Sequence, residues 1–183
     1  MAGEYYFLIA LLLVVGAYII HRAHIAIRQY RKFRGKMLVD CPETHKAAAV
    51  KVAGVSEAMA AFVGQRHVEL NACSRWPERA GCDQDCLSQL ETDPESHRVW
   101  QIASQWFAGK QCVYCGKPIE HFGYLDHRPA LLDAANQTVE WDKIPAEKLP
   151  EKLSSCRPVC WDCHVAETFR REHLELVVDR PRH

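Results

Sequence analysis

Four cysteines in the C-terminal half are spaced for a metal: Cys112 and Cys115 in C-V-Y-C, and Cys160 and Cys163 in C-W-D-C. A structural zinc ion takes four soft or borderline ligands in a tetrahedron, commonly from two such pairs. The two-residue spacer lets both sulfurs of a pair reach one ion. Gly116 follows the first pair and tolerates the positive φ of a metal knuckle, in which backbone N–H groups turn toward the thiolates. The second pair stands where a helical stretch begins, and the positive end of a helix dipole favours thiolate. These four residues are therefore expected to hold a structural zinc. The gap between the pairs, roughly 44 residues, is longer than the usual 15 to 20.

Cys41, Cys73, Cys82 and Cys86 form a second candidate set, without any C-x-x-C among them. A second zinc, an iron–sulfur cluster on the same thiolates, and buried unliganded thiols all remain open for them. Cys156 is left over and is expected to be unliganded. The count of nine is odd, and two pairs have metal spacing, so a secreted disulfide framework is the poorer reading. C-W-D-C-H also matches the c-type haem attachment pattern, and C-x-x-C a redox pair, although no βαβ context for the latter is visible.

These sites need elements to position them, and the first is an anchor. Tyr5 to Ile20 (YYFLIALLLVVGAYII) carries no charge. At about 1.5 Å per residue it spans roughly 24 Å, against a hydrocarbon core of ~30 Å. Ala2, Gly3 and the snorkelling stem of Arg22 are expected to make up the difference. Tyr5, Tyr6 and Tyr18 fall where an aromatic belt is expected. The start MAGEYY lacks the basic n-region of a cleaved signal peptide, so an uncleaved span is favoured. Arg22, Arg28, Arg31, Lys32, Arg34 and Lys36 follow it, with no acidic residue before Asp40. The positive-inside rule then puts the N-terminus outside and the C-terminal bulk in the cytoplasm, at the inner membrane. The basic stretch is expected to continue the helix to Gly35 and can meet anionic lipid headgroups.

Met37 to Gly54 reads as two short strands about Cys41-Pro42-Glu43-Thr44, and Ser56 as the cap of a short helix ended by Gly64. His67 to Cys73 alternates like a strand. A loop then leads to Cys82 and Cys86, followed by a helical stretch. Asp93-Pro94 reads as the start of a further helix bearing Val99, Ile102, Ala103 and Trp106 on one face, with Gly109 as its stop. Short strands are expected after the first pair through Tyr124, an irregular stretch over Ile144 to Lys152, and a helix from the second pair through VAETFRREH. The tail LELVVDRPRH can add a strand. The organisation is thus an anchor over 1–21, a basic juxtamembrane helix over 22–36, a Cys-containing α+β region over 37–109 and a zinc domain over 110–183.

Cys112 to His173 resembles the zinc-containing subset of HNH nucleases through CVYCG, LDHRP and VCWDCH at a helix start. The resemblance implies a treble-clef core, so the expected fold class is α+β with one transmembrane helix and a treble-clef-like C-terminal half. It also implies that Asp126 ligates a catalytic divalent ion, that His127 is the general base, and that His164 is a second ligand. The family's middle Asn is replaced here by the stretch Ser154-Ser155-Cys156, and the segment after the DH pair is long. Treble clefs host many functions, and the favoured reading is the plainer one: Asp126-His127 as a structural hydrogen-bonded pair, or His127 as a cover over the zinc site. The layout as a whole resembles small bacterial single-pass membrane proteins, a likeness that brings no activity.

The net charge is zero, so no global field favours nucleic acid. The preferred expectation is a non-enzymatic zinc module that meets an unidentified protein partner beside the bilayer. The alternatives are a metal-dependent nuclease, the one case with nucleic acid as partner, and an iron–sulfur or haem redox module.

Overall fold

The computed structural model describes residues 2–64, 68–79, 81–123 and 126–176. The chain divides into two compact units, Met1–Glu95 and Ser96–His183.

The first unit opens with α1 (Ala2–Lys32), a single helix of 31 residues. At about 1.5 Å per residue it is roughly 46 Å long. From Tyr5 its apolar side chains stand exposed through Ile20, which a soluble core helix does not allow. It is long and apolar enough to cross a membrane, a test that a signal sequence near an N-terminus also passes. The helix ends at Lys32, three residues before Gly35. Phe33 there turns into the unit's core, and Gly35 sits at φ 100°.

After it, β1 (Met37–Cys41) and β2 (Lys46–Val52) form the expected hairpin. Alternation explains it: Met37 and Val39 from β1, with Ala48, Val50 and Val52 from β2, face one core. β3 (Leu70–Cys73) adds to β2, with a register shift between Lys51 and Val52. Of the expected strand from His67, His67 itself lies outside the described residues. Between β2 and β3, α2 (Gly54–Val63) packs along the C-terminal part of α1. Ser56 is not its cap: the cap position is Ala53, and no side chain bonds there. The other end is closed twice. Gly64 takes a left-handed φ of 89° and donates back to Ala60 and Ala61. Arg22, expected to snorkel toward lipid, instead donates to the carbonyls of Phe62 (2.6 Å) and Ala61 (2.8 Å). α3 (Leu87–Thr92) buries Leu90 in the sheet's core.

In the second unit, α4 (Val99–Phe107) begins later than Asp93-Pro94 suggests. Asp93 ends α3 instead, and a turn spans 94–97. Its buried face is Val99, Ala103, Ser104 and Phe107, so Phe107 rather than Trp106 is the deepest aromatic. Phe107 contacts Phe122 at 5.9 Å between ring centroids, and Phe122 contacts Trp141 at 6.3 Å. The Ser104 hydroxyl donates to the Phe122 carbonyl at 3.0 Å, which ties α4 to the segment after the first cysteine pair. The helix that sequence pattern groups with the preceding region thus packs in the second unit.

The strands expected up to Tyr124 reduce to one bridge, Gln111 to Pro118; Tyr124 itself lies outside the described residues. The sheet comes later, in the order β5-β4-β6, with β4 (Ala130–Leu132) central and buried, β5 (Thr138–Glu140) and β6 (Arg157–Val159). Asp133 closes the β4–β5 turn by accepting the Gln137 N–H at 2.8 Å, and Asn136 takes φ 58°. The stretch expected to be irregular holds a helix, α5 (Leu149–Ser155). Pro150 stands in its first turn, where proline is tolerated, and Leu149 and Leu153 bury one face at i, i+4. α6 (Trp161–Glu172) starts on the second pair as expected. Leu174–Leu176 is a short 3-10 turn, not a strand; the tail from 177 on lies outside the described residues.

Candidate metal centre

Cys112, Cys115, Cys160 and Cys163 converge, with all four sulfurs within 4.8 Å of one another. The Cys115 and Cys160 sulfurs are 3.7 Å apart. A tetrahedron with Zn–S bonds of ~2.3 Å has an edge of about 3.8 Å, so the donor set fits a tetrathiolate ion. Four thiolates also suit an iron centre, and the geometry leaves the metal unassigned.

Local sequence builds each half. The Cys112–Gly116 turn is closed by the Gly116 N–H donating to the Cys112 carbonyl at 2.9 Å, with Gly116 at φ 70°. A side chain there would have room but would be forced into the left-handed region, so the need for glycine is conformational. The Cys112 N–H donates to the Lys117 carbonyl at 2.9 Å, and the Val113 N–H to the Pro158 carbonyl on β6 at 3.0 Å. The knuckle is thereby fastened to the strand that leads into the second pair. Cys160 occupies the N-cap position of α6 and Cys163 its first turn. Ala130, Leu132 and Val159 pack against the buried Cys112 and make the dry floor of the site.

The thiols are electrostatically unequal. Burial raises the Cys112 thiol, but N–H groups of Cys160, Cys115 and Tyr114 outweigh it and bring the pKa to about 6. Burial raises Cys163 strongly, helped by the crowded sulfurs of Cys160, Cys115 and Cys112; Cys160 is raised too, by burial first. Thiols must lose their protons to bind a divalent ion, so metal binding here would release protons. Cys156 ends α5 and lies outside the cluster, with the Ser155 hydroxyl 4.0 Å from its sulfur.

Asp126, His127 and His164 are engaged separately. The Asp126 carboxylate accepts the Gly123 N–H. The His127 ring stacks on Trp161, 5.2 Å between centroids and 9° from parallel. His164 is buried, with Nδ1 2.9 Å from the Thr138 hydroxyl and Nε2 3.8 Å from a Glu140 carboxylate oxygen. Among the described residues these three are not drawn into a metal-binding group of their own. Sequence reasoning did not anticipate Thr138 and Glu140, since they arrive on β5 through pairing that no spacing reveals.

Cys41, Cys73, Cys82 and Cys86 all line one cavity of the first unit, but they are not among the described groups whose donor atoms lie close enough to hold one ion as they stand. None of the nine cysteines forms a disulfide. Comparison of the chain with protein-family models, with curated proteins and with solved structures finds no match.

Proposed function

We propose that this is a single-pass inner-membrane protein whose cytoplasmic C-terminal unit is a zinc-stabilised, non-enzymatic interaction module. The convergence of Cys112, Cys115, Cys160 and Cys163 at tetrahedral spacing carries the reading. Zinc is the metal that closes such a site without adding chemistry, and its binding energy there becomes folding energy. The treble-clef likeness supports it: a knuckle, a small sheet and a helix carrying the second pair. α1 supplies the anchor, and the basic residues from Arg22 to Lys36 set the orientation by the positive-inside rule. Those beyond Arg22 would meet anionic headgroups there.

Interaction is favoured over catalysis by how side chains are used. Asp126, His127 and His164 each serve a local contact, whereas large apolar side chains stand in solvent: Val113 and Tyr114 on the knuckle, and Val165 and Phe169 on one face of α6. Exposed apolar surface of this kind is what a protein partner covers. A photocrosslinker at Phe169 in the full chain, in intact membranes, tests this. A defined crosslinked product is expected, lost in Cys112→Ser/Cys115→Ser; absence of any product contradicts the reading.

A nuclease is the second reading, favoured by one observation: His127 and His164 both lie against the Trp161 ring, at 5.2 and 5.9 Å between centroids. The purified full chain with Mg²⁺ or Mn²⁺ is expected to leave DNA intact. Cleavage that His127→Ala abolishes would replace the first reading with this one. Haem attachment would need Cys160 and Cys163 for thioethers, and both sulfurs instead face the other pair.

A further inference from the structure

We infer that the first unit holds a second zinc-class ion, bound by Cys41, Cys73, Cys82 and Cys86 around the cavity they share. This site is independent of the one that supports the proposed function, and three observations carry it.

The four thiols come from separate places in the chain, yet all line one cavity. Cys41 ends β1, Cys73 ends β3, Cys82 lies in the following loop and Cys86 caps α3. Convergence of this kind is not produced by local sequence and needs the whole sheet.

The turn at Cys41 is the turn at Cys112. In the second unit the residue four after the first cysteine, Gly116, takes φ 70° and donates to the Cys112 carbonyl at 2.9 Å. In the first unit the residue four after Cys41, His45, takes φ 51° and donates to the Cys41 carbonyl at 2.8 Å. The N–H groups two and three residues on, those of Glu43 and Thr44, turn toward the Cys41 sulfur just as those of Tyr114 and Cys115 turn toward Cys112. A non-glycine residue in the left-handed region costs about 1–2 kcal/mol. Thr44 stands where the second cysteine of a knuckle would be, which is why no C-x-x-C marks the site.

Other ligand positions show the same preparation. The Arg75 N–H donates to the Cys73 sulfur at 3.4 Å. Gln84, at φ 60°, accepts the Leu70 N–H through its side chain at 3.2 Å and pins the Cys82–Cys86 loop to β3. Gln89 exchanges two hydrogen bonds with the backbone of Asp40, at 3.1 and 2.8 Å, and pins α3 beside Cys41.

Four thiolates are the donor set of a structural zinc ion. The sulfurs do not meet as closely as in the other unit, where all four fall within 4.8 Å. An ion at ~2.3 Å from each sulfur would draw them in.

The test is metal content of the full chain purified in detergent after growth with zinc. The parent is expected to carry about two zinc ions per chain. Cys82→Ser/Cys86→Ser and Cys160→Ser/Cys163→Ser should each reduce this to about one. A parent with about one zinc, unchanged by Cys82→Ser/Cys86→Ser, overturns the inference and leaves the proposed function standing. Iron with visible absorption, lost in Cys82→Ser/Cys86→Ser, overturns it in favour of a cluster. If only Cys160→Ser/Cys163→Ser leaves zinc unchanged, the inference stands and the metal basis of the proposed function fails. Alkylation of the unmutated chain guards against misfolded variants. Cys41, Cys73, Cys82 and Cys86 should resist until a chelator is added, while Cys156 reacts throughout; reaction of those four at the Cys156 rate without chelator overturns the inference.

Discussion

Two cysteine quartets share a turn and differ in how they are held. In the C-terminal unit the sulfurs come as two sequence pairs, and Ala130, Leu132 and Val159 pack beside Cys112. In the N-terminal unit the cysteines come from two strand ends, a loop and a helix start. Phe33, Met37, Val39, Val50, Leu70 and Leu90 pack into one core with Cys86. Local spacing can preform a site that packing alone would not hold. Conversely, a packed sheet can gather ligands that no spacing announces. On the proposed reading the first arrangement depends on a metal for folding, and the second uses folding to prepare a place for one.

The largest difference should appear when each quartet is broken. Structural zinc contributes an apparent 10–16 kcal/mol in small domains, as much as the whole stability of many folds, ~5–15 kcal/mol. Cys112→Ser or Cys160→Ser should therefore unfold the C-terminal unit, seen as rapid proteolysis beyond Ser96. Cys86→Ser should lower the stability of the N-terminal unit by only about 3 kcal/mol, comparable to Leu90→Ala at 2–5 kcal/mol, as read from denaturant midpoints. Equal losses in both units would erase the distinction.

Acid should sharpen the same contrast. Thiolates must be deprotonated to bind, so lowering pH protonates them and releases metal. Released zinc, followed with a chromogenic chelator, should coincide with loss of structure in the C-terminal unit. In the N-terminal unit zinc should leave while the sheet remains. A sheet that melts together with zinc release would contradict this.

The smallest effects lie in the shared turn. Gly116→Ala has open space for the new methyl group but must hold it at φ 70°, so a loss of about 1–2 kcal/mol is expected. His45→Gly removes the same strain and adds unfolded-chain freedom, so its change should stay within about 1 kcal/mol. Thermal midpoints of the two variants decide this; a large loss for His45→Gly would mean the imidazole has a role beyond the turn.

What could be read from sequence follows this division. The two C-terminal cysteine pairs, the knuckle glycine and the start of α6 on Cys160 were legible because each lies within a few residues of its partner. The hairpin about Cys41 was legible from alternation of Met37, Val39, Ala48 and Val50. The start of α4 was not, because Asp93-Pro94 mimics a helix cap while Asp93 in fact ends α3. α5 was hidden by the Pro, Glu and Lys content of its stretch, although Leu149 and Leu153 gave its buried face. The fastening of His164 by Thr138 depends on β5, and no local pattern encodes a partner 26 positions away.

X-ray absorption at the zinc edge tests the central claim most directly, on the full chain carrying Cys82→Ser/Cys86→Ser so that only the C-terminal site reports. The account predicts four sulfur neighbours at ~2.3 Å and none lighter. A shell with nitrogen or oxygen in place of sulfur, or a chain that holds no zinc, would contradict it.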